Sequence, residues 1–271
     1  MDNLVVYHAN CPDGFTAAWV ARKALGGGTH VEYIPAKYGD DAPAVKGQNI
    51  YIVDFSYPDY VMLNLAEYNR VICLDHHKTA QADCEGLDFC TFDMERSGAG
   101  LTWDHFFPGQ PRPALVDYIE DRDLWRFNLP FSREVSAWIA SYPREFSVWD
   151  KTLAHLSFVN LYCSDAVAEG SAILRFERQK VEEMCQYVRF IDLGDGEIPV
   201  VNCPYNFGSL VGEALTLKYP LAPYAAYYFD RGDGKQQWGL RSVDFDVSEV
   251  AKRFGGGGHK HASGFVKGLP V

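Results

Sequence analysis

The sequence predicts an α/β fold built around a mainly parallel sheet, and two observations support this. Short β-branched runs alternate with longer helix-compatible stretches in the first half of the chain, which is typical of a parallel sheet covered by helices. Polar residues directly follow three of these runs. Because the carboxyl ends of parallel strands face one crevice, we expect these polar groups to converge there. The predicted strands are Leu4–Tyr7, Val31–Ile34, Ile50–Val53 and Val71–Leu74, and the predicted helices are Ala17–Leu25, Val61–Tyr68 and Gly98–Phe106.

The chain divides into three predicted parts. Residues 1–150 are expected to form the parallel-sheet domain, and residues 151–190 a helical linker, because apolar residues recur at helical spacing between Ala166 and Val188. Strand-like runs return in EIPVVNCP, YAAYYFD and QQWGLRSV, before the glycine-rich FGGGGHKHASGF. Residues 191–271 therefore read as a smaller α/β domain, which we expect to close over a ligand bound in a cleft.

Composition limits the class of protein. The chain has 271 residues, of which 47% are hydrophobic and 14% aromatic, so it can bury a substantial core. Its net charge of −11 disfavours binding of long duplex nucleic acid. Local basic sites could still hold a short phosphorylated ligand. The sequence gives no indication of the oligomeric state.

The cysteines and the N-terminal segment suggest a compartment. The seven cysteines form no CxxC pair, so neither a disulfide framework nor a zinc ribbon is indicated, and a reducing cytoplasm is expected. The start MDNLVVYHAN lacks a basic segment followed by an apolar one. No apolar run approaches the roughly 20 residues needed to span a bilayer. We therefore expect a protein that is neither exported nor embedded in a membrane.

The most informative stretch is VICLDHHKT, in which Asp75, His76 and His77 follow an apolar strand. A metal-bound imidazole usually needs its second nitrogen oriented by another group. The stretch could therefore supply one metal ligand and one residue that faces a substrate. Taken alone, it is equally well explained as a polar strand end.

Asp54 follows another apolar strand, IYIV. A buried carboxylate is costly unless it is paired or coordinated, although a single Asp at this place is often a helix cap. Together with His8, Asp13 and His76 it forms a nitrogen and oxygen set that suits manganese or a similar divalent ion rather than a thiolate zinc site. If Asp54 bridged two ions about 3.5–4 Å apart, the pair could activate water against a phosphoester.

Five motifs in order resemble the DHH phosphoesterase superfamily, in the branch that carries a DHH-associated C-terminal domain. They are HANCPDG, VDFS, LDHHK, EDRDLWRF and, far downstream, GLRS with GGGGHKHASG. The resemblance covers nearly the whole chain and is nearest to the oligoribonuclease and cyclic-nucleotide phosphodiesterase group, which includes nano-RNases. It implies a DHH catalytic domain and a smaller α/β substrate-binding domain.

The resemblance also implies a set of metal ligands. Asp121 is chosen because EDRDLWRF aligns with the family's Thr-Asp-Thr-Gly-x-Phe-Arg-Phe form, and Asp123 is the second choice. Asp75 is implied to orient the His76 ring. His77 is implied to face the scissile phosphate. One manganese ion would be held by Asp13, Asp54, His76 and Asp121, and the other with the help of His8 and Asp54.

Cys11 departs from the family pattern, which commonly has an aspartate two residues before the position of Asp13. The first metal position therefore departs from the pattern, and three outcomes are open: the Cys11 thiolate binds a softer metal such as zinc or iron, Asn10 or water fills the place, or that ion binds weakly. A fourth reading makes Cys11 a small packing residue in a tight turn.

The C-terminal motif suggests a phosphate site. Glycines allow close approach of the backbone, so the amides of Gly256, Gly257 and Gly258 could face a phosphate, with His259 as a further donor. A glycine run by itself is more often a flexible loop. Arg241 and Ser242 match the family's substrate-binding domain, and arginine can make two hydrogen bonds to one phosphate.

The sequence therefore predicts a manganese-dependent phosphodiesterase of exoribonuclease type. Its substrates are expected to be short oligonucleotides or small linear or cyclic nucleotides. Two alternatives stay open. The chain could be a nucleotide-binding sensor that hydrolyses nothing, or a phosphatase that acts on 3′-phosphoadenosine 5′-phosphate.

Overall fold

A computed structural model of the protein describes residues 2–26, 30–158 and 164–268. The chain forms two compact units, residues 1–174 and 175–271. The three-part division expected from the sequence stays a prediction. Parts of it lie outside the described residues, namely residues 159–163 of the expected linker, residues 1 and 27–29 of the first domain, and residues 269–271 of the last.

The first unit is built on a five-stranded sheet in the order β2-β1-β3-β4-β5, with every neighbouring pair parallel. Because β1 lies between β2 and β3, the strand order reverses beside β1. In open sheets of this order, ligands bind at that reversal, outside the carboxyl ends of the strands. The strands are β1 (Asn3–His8), β2 (Val31–Ala36), β3 (Asn49–Val53), β4 (Arg70–Asp75) and β5 (Cys90–Phe92).

Helices cover both faces of this sheet. Alternate residues of each strand therefore pack in two different cores, one on each face. In β1, Val5 packs in one buried cluster with Trp19 and Trp149, whereas Leu4 and Val6 pack in the other. The helices of this unit are α1 (Pro12–Leu25), α2 (Asp59–Tyr68), α3 (Lys78–Asp83), α4 (Gly98–Phe106), α5 (Ala114–Asp123), α6 (Ser132–Ala140) and α7 (Phe146–Phe158). A further helix, α8 (Asp165–Met184), begins in this unit and ends in the second.

The second unit contains a six-stranded mixed sheet in the order β10-β11-β9-β8-β7-β6. Only the β7–β8 pair is parallel. The second unit also contains the helices α9 (Gly208–Lys218) and α10 (Val247–Arg253), and a 3₁₀ turn covers Cys185–Tyr187. The strands are β6 (Arg189–Asp192), β7 (Glu197–Asn202), β8 (Ala225–Asp230), β9 (Lys235–Arg241), β10 (Gly257–Gly258) and β11 (Ala262–Gly268).

The predicted fold class is confirmed, although the sequence analysis did not name several of the shorter elements. The strand β5 has three residues, and α3 has the polar sequence KTAQAD. The glycine-rich FGGGGHKHASGF contributes the two antiparallel strands β10 and β11 rather than one loop. Among the described helices, none combines the length and the apolar character that crossing a bilayer requires.

Candidate metal centre

The polar residues that follow the strands of the first sheet lie together, as their positions predicted. His8 ends β1, Asp54 follows β3, and Asp75 ends β4 directly before His76 and His77. Asp54 has a positive φ of 55°, and its amide donates to the Leu74 carbonyl of the neighbouring strand at 2.9 Å. A non-glycine residue in this conformation is uncommon and is often found at functional sites.

The Asp54 carboxylate faces one histidine with each of its oxygens. Its Oδ1 lies 3.1 Å from His76 Nε2, and its Oδ2 lies 3.5 Å from His8 Nδ1. Burial by itself would raise the pKa of Asp54, but the positively charged rings of His76 and His8 hold it well below its ordinary value. Asp54 is therefore ionised and connects two groups of potential ligands.

His76 Nε2 lies among three carboxylates. It is 3.1 Å from Asp54 Oδ1, 3.4 Å from Asp123 Oδ2 and 3.8 Å from Asp13 Oδ2. Burial lowers the pKa of His76, but the surrounding carboxylates raise it to about 10. In the metal-free protein the ring is therefore protonated and supplies the positive charge that balances this acidic group. Metal binding requires neutral imidazole, so a divalent cation would displace this proton.

Asp13 is held in place by the N-terminus of α4. Its Oδ2 accepts a hydrogen bond from the Gly98 amide at 2.6 Å, and its Oδ1 accepts one from the Ala99 amide at 3.1 Å. Glycine is required at position 98, because a Cβ there would overlap the Cβ of Asp54. Burial and the charges of Asp54 and Asp123 raise the pKa of Asp13 well above its ordinary value. A cation would relieve that repulsion.

These residues form two candidate ligand groups, in each of which the ligand atoms lie within 4.8 Å of one another. One group is Asp13, His76 and Asp123, and the other is His8, Asp54 and His77. In the second group, His8 Nδ1 and Asp54 Oδ2 are buried without a hydrogen-bond partner among the described residues. Buried polar atoms are normally paired, so these two atoms and the mixed nitrogen and oxygen donors fit divalent cations.

The partner of Asp75 differs from the expectation. Asp75 Oδ1 lies 2.7 Å from His77 Nδ1, and it also accepts the backbone amides of His76 at 2.7 Å and His77 at 3.2 Å. Asp75 therefore orients the His77 ring and not the His76 ring. The reason is local, because the turn that brings both amides to one carboxylate oxygen also folds the second histidine back onto it. The role predicted for His77 toward a phosphate stays a prediction.

The structure brings Asp123, and not Asp121, to the candidate metal ligands. The Asp121 carboxylate accepts hydrogen bonds from the Asn128 and Leu129 amides at 2.9 and 3.2 Å and from the Ser132 hydroxyl at 2.5 Å. Positions two apart on a helix differ by about 200°, so only one of the two residues can face His76. Asp121 instead organises the loop after α5, in which Trp125, Phe127 and Phe131 have positive φ.

Cys11 is the N-cap residue of α1, and its side chain makes no capping hydrogen bond. Burial, together with the charges of Asp54, Asp123 and Asp13, raises the pKa of its thiol well above the ordinary value. The sulfur therefore lies near the acidic group but stays protonated without a cation. It does not belong to either of the two ligand groups described above. The alternatives for Cys11 stay open.

Tyr38 is a member of the site that the sequence did not predict. Its ring centroid lies 5.8 Å from both the His8 ring and the His77 ring, edge to face in each case, and 5.0 Å from Phe55. The residue lies in a turn closed by a hydrogen bond from the Asp40 amide to the Lys37 carbonyl at 3.0 Å. No sequence pattern marks it, because an aromatic residue after a strand is common.

In the second unit, Arg241 and Ser242 lie at the end of β9. Arg241 donates to the Ser209 hydroxyl at 2.7 Å and to the Leu240 carbonyl at 2.8 Å, and it lies over the Tyr227 ring. Ser242 donates to the Phe245 carbonyl at 2.5 Å. Arg241 thus already has hydrogen-bond acceptors within its own unit, and a phosphate would have to share or replace them.

The backbone groups of the glycine motif mostly make hydrogen bonds within the second unit. The Gly256 amide donates to the Ala251 carbonyl at 2.9 Å. Contrary to the expectation, this donor therefore does not face a phosphate. A Cβ at Gly256 would overlap the Gly264 carbonyl oxygen. Gly257 and Gly258 pair with Gly264 and Ser263. The His259 amide donates to the Ala262 carbonyl at 2.9 Å, which closes the turn before β11.

Comparison by sequence finds a similar protein of undescribed activity. No family model matches the chain. Uncharacterized protein R106 of Acanthamoeba polyphaga mimivirus is 29% identical over 290 residues, which cover 97% of this chain and 67% of that protein.

Comparison by structure finds DHH-domain proteins. The DHH domain of a member of a ribosomal-protein family has a TM-score of 0.58 at 13% identity, over 98% of this chain and 82% of that one. A pGpG-specific phosphodiesterase, PggH of Vibrio cholerae, has a TM-score of 0.52 at 12% identity, over 99% and 94%. RecJ of Thermus thermophilus in complex with Mn²⁺ has a TM-score of 0.50 at 17% identity, over 98% and 49%.

The two-sheet α/β architecture is thus that of the DHH-domain proteins. The chain has the DHH phosphoesterase fold, as its five ordered motifs predicted.

Proposed function

We propose that the protein is a metal-dependent phosphodiesterase that hydrolyses short oligonucleotides or small nucleotides. One observation carries this proposal: the Asp54 carboxylate directs one oxygen to each of two ligand groups. A carboxylate shared in this way is the arrangement expected of a bridging ligand in a two-metal hydrolytic site. The DHH fold, which the chain shares with a phosphodiesterase and with RecJ, supports the same reaction class.

In this proposal, Asp13, His76 and Asp123 would hold one divalent ion, and His8 would hold the other with the help of His77 or of oxygen ligands from the substrate. Asp54 would contact both. Such a pair of ions, manganese by preference, supplies Lewis acidity toward the attacking water and the phosphoryl oxygens. The histidine and carboxylate donors suit manganese better than they suit a purely thiophilic ion.

The residues around the ligands have separate roles in the proposal. Asp75 holds His77 through Nδ1, which fixes the orientation of the ring and selects the tautomer protonated on Nδ1. To donate to a non-bridging phosphate oxygen, the opposite edge of the ring would also need a proton on Nε2, as in the imidazolium form. Arg241, in the second unit, would bind a further phosphate, in keeping with its planar guanidinium group.

Metal dependence is the direct test. Protein treated with chelator and shown by elemental analysis to be metal-free should not hydrolyse pApA or bis(p-nitrophenyl) phosphate. Manganese should restore hydrolysis more fully than magnesium, calcium or zinc at equal concentration. Full turnover by the metal-free protein would exclude the proposed mechanism. Tight nucleotide binding without turnover under any of these metals would support a nucleotide sensor instead.

A further inference from the structure

Four neighbouring strands of the first sheet each place one ring at the carboxyl end of the sheet. Along the sheet order β2-β1-β3-β4, these rings are Tyr38 after β2, His8 at the end of β1, Phe55 after β3 and His77 after β4. Parallel strands end at one edge of the sheet, so side chains that follow neighbouring strands can meet there. These four side chains form the strand-end ring cluster.

Tyr38 contacts every other member of the strand-end ring cluster. Its ring centroid lies 5.8 Å from the His8 ring, 5.8 Å from the His77 ring and 5.0 Å from the Phe55 ring. The His8 and His77 rings are 5.4 Å apart. The pairs among Tyr38, His8 and His77 are all edge to face, with interplanar angles of 72°, 77° and 74°. Because this geometry is favourable for ring pairs, the three rings hold one another in orientation.

The backbone brings Tyr38 to the side of His8. The parallel pairing of β1 and β2 continues to His8 and Ala36, so the two strands end together. Tyr38 follows two residues after Ala36, in a turn in which the Lys37 amide donates to the Asp40 carboxylate at 2.9 Å. The register of the sheet and the hydrogen bonds of this turn therefore set the position of the Tyr38 ring.

Tyr38 forms the solvent-facing side of the cluster. Its exposed fraction is 52%, whereas His77 is 8% exposed and Phe55 is 1% exposed. Large apolar rings are normally buried, and Tyr38 here covers rings that belong to candidate metal ligands. Removal of its side chain would open the cluster to water without taking away a ligand atom.

His8 lacks the kind of hydrogen bond that orients His77. Asp75 Oδ1 lies 2.7 Å from His77 Nδ1 and fixes that ring. His8 Nδ1 lies 3.5 Å from Asp54 Oδ2, which is too long for a strong hydrogen bond, and within the part of the chain that the structure describes neither atom has a hydrogen-bond partner. A metal-binding imidazole usually needs an outer partner that fixes its ring. For His8, packing against the neighbouring rings supplies this constraint.

We propose that Tyr38 is a positioning residue for His8, and thereby for the divalent ion of the ligand group formed by His8, Asp54 and His77. The inference rests on the proposed function and makes it more specific, because it assigns an outer residue to one of the two ions. The other ligand group is held independently, since two amides of α4 fix Asp13. The ring of Tyr38, and not its hydroxyl group, carries the effect.

The test is a titration of the full chain with manganese, followed by the EPR signal of free Mn²⁺. The wild type should bind two ions. Tyr38→Ala should keep one site and bind the other ion about 10- to 100-fold more weakly, the usual effect of losing an outer partner of a ligand. Tyr38→Phe should bind both ions within about twofold of the wild type, because the packing of the ring is kept. Tyr60→Ala, which removes an exposed tyrosine of α2, is the matched control and should change neither site.

Hydrolysis of pApA gives a second readout. Tyr38→Ala should need about tenfold more manganese for its half-maximal rate, whereas kcat at saturating manganese should stay within about threefold of the wild type. A general structural defect would instead lower the rate at every manganese concentration. Thermal unfolding of the metal-free variants shows whether they fold. If Tyr38→Ala does not fold, Tyr38→Leu replaces it, because leucine keeps apolar volume but has no ring.

Two tightly bound ions in Tyr38→Ala would overturn the positioning role, and so would a Tyr38→Phe variant that binds as weakly as Tyr38→Ala. A wild type that binds fewer than two ions would overturn it as well. If the wild type binds two ions but does not hydrolyse pApA or bis(p-nitrophenyl) phosphate, the proposed function fails, and the titration still decides the role of Tyr38. If the wild type hydrolyses pApA and Tyr38→Ala keeps both ions, only the role of Tyr38 is excluded.

Discussion

The two regions that carry the sequence motifs use their polar groups differently. At the ends of β1 and β3, His8 Nδ1 and Asp54 Oδ2 are buried without hydrogen-bond partners among the described residues. In the second unit, Arg241 and the Gly256 amide have acceptors that belong to their own fold. The difference shows that a motif residue can have two kinds of role. Buried polar atoms that lack hydrogen bonds point to a ligand, whereas groups that already have acceptors in their own fold also serve the architecture.

The largest effect is expected at Asp54, the residue that connects the two ligand groups. Asp54→Asn keeps the shape of the side chain but removes the charge that faces His8 and His76. We expect kcat to fall on the order of 100- to 1,000-fold, the range seen when one preorganised electrostatic group is removed. Bound manganese, measured by elemental analysis after dialysis, should fall as well. Unchanged metal content and rate would show that Asp54 does not bridge ions.

The second prediction separates Asp123 from Asp121. Asp123→Asn should lower kcat by about 100-fold, because metal ligands and their partners commonly contribute 10- to 100-fold. It should not lower the Tm of the metal-free protein, since it removes one of several mutually repelling carboxylates. Asp121→Asn should lower the Tm, because two amides and the Ser132 hydroxyl lose a charged acceptor, at a cost of about 2 kcal/mol.

Activity at saturating manganese and thermal unfolding without metal are the two measurements. The assignment of roles would be reversed if Asp121→Asn abolished metal binding without loss of stability. It would be reversed equally if Asp123→Asn unfolded the protein.

The third prediction compares His77 in the first unit with Arg241 in the second. His77→Ala should lower kcat by about 10- to 100-fold with little change in KM, because the ring is expected to stabilise charge during the reaction. Arg241→Ala should raise the KM for pApA by about tenfold, through loss of a charged hydrogen bond to phosphate. Steady-state kinetics with pApA separates the effect on kcat from the effect on KM. A KM for pApA that stays the same in Arg241→Ala would remove Arg241 from substrate binding.

The smallest effect is expected at Cys11. Cys11→Asp places a carboxylate at the N-cap of α1, two residues before Asp13 and close to the acidic group. If an oxygen ligand is missing there, activity at low manganese should rise by about threefold and be nearly unchanged at saturation. Cys11→Ser is the control of similar size without the charge. Lower activity and a shifted metal preference would identify the thiolate as a ligand, and an unchanged metal titration would leave Cys11 as a packing residue.

Local sequence patterns were enough to predict four strands of the parallel sheet and the polar residues that stand at their ends. Both depend on short-range rules, since β-branched runs form strands and residues such as Asp54 and Asp75 follow them directly. Because parallel strands end at one edge, the convergence of His8, Asp54 and His76 could be predicted without coordinates. The order of the motifs also predicted the DHH fold.

Tertiary packing, in contrast, selects which of two neighbouring residues faces the site. The choice of Asp123 over Asp121 depends on the rotation of α5 and on the loop that Asp121 holds. The contact of Asp75 with His77 depends on a turn in which one oxygen accepts two amides. The contacts of Tyr38 with the His8 and His77 rings join segments far apart in the chain. These contacts depend on packing between distant segments, which local sequence patterns do not encode.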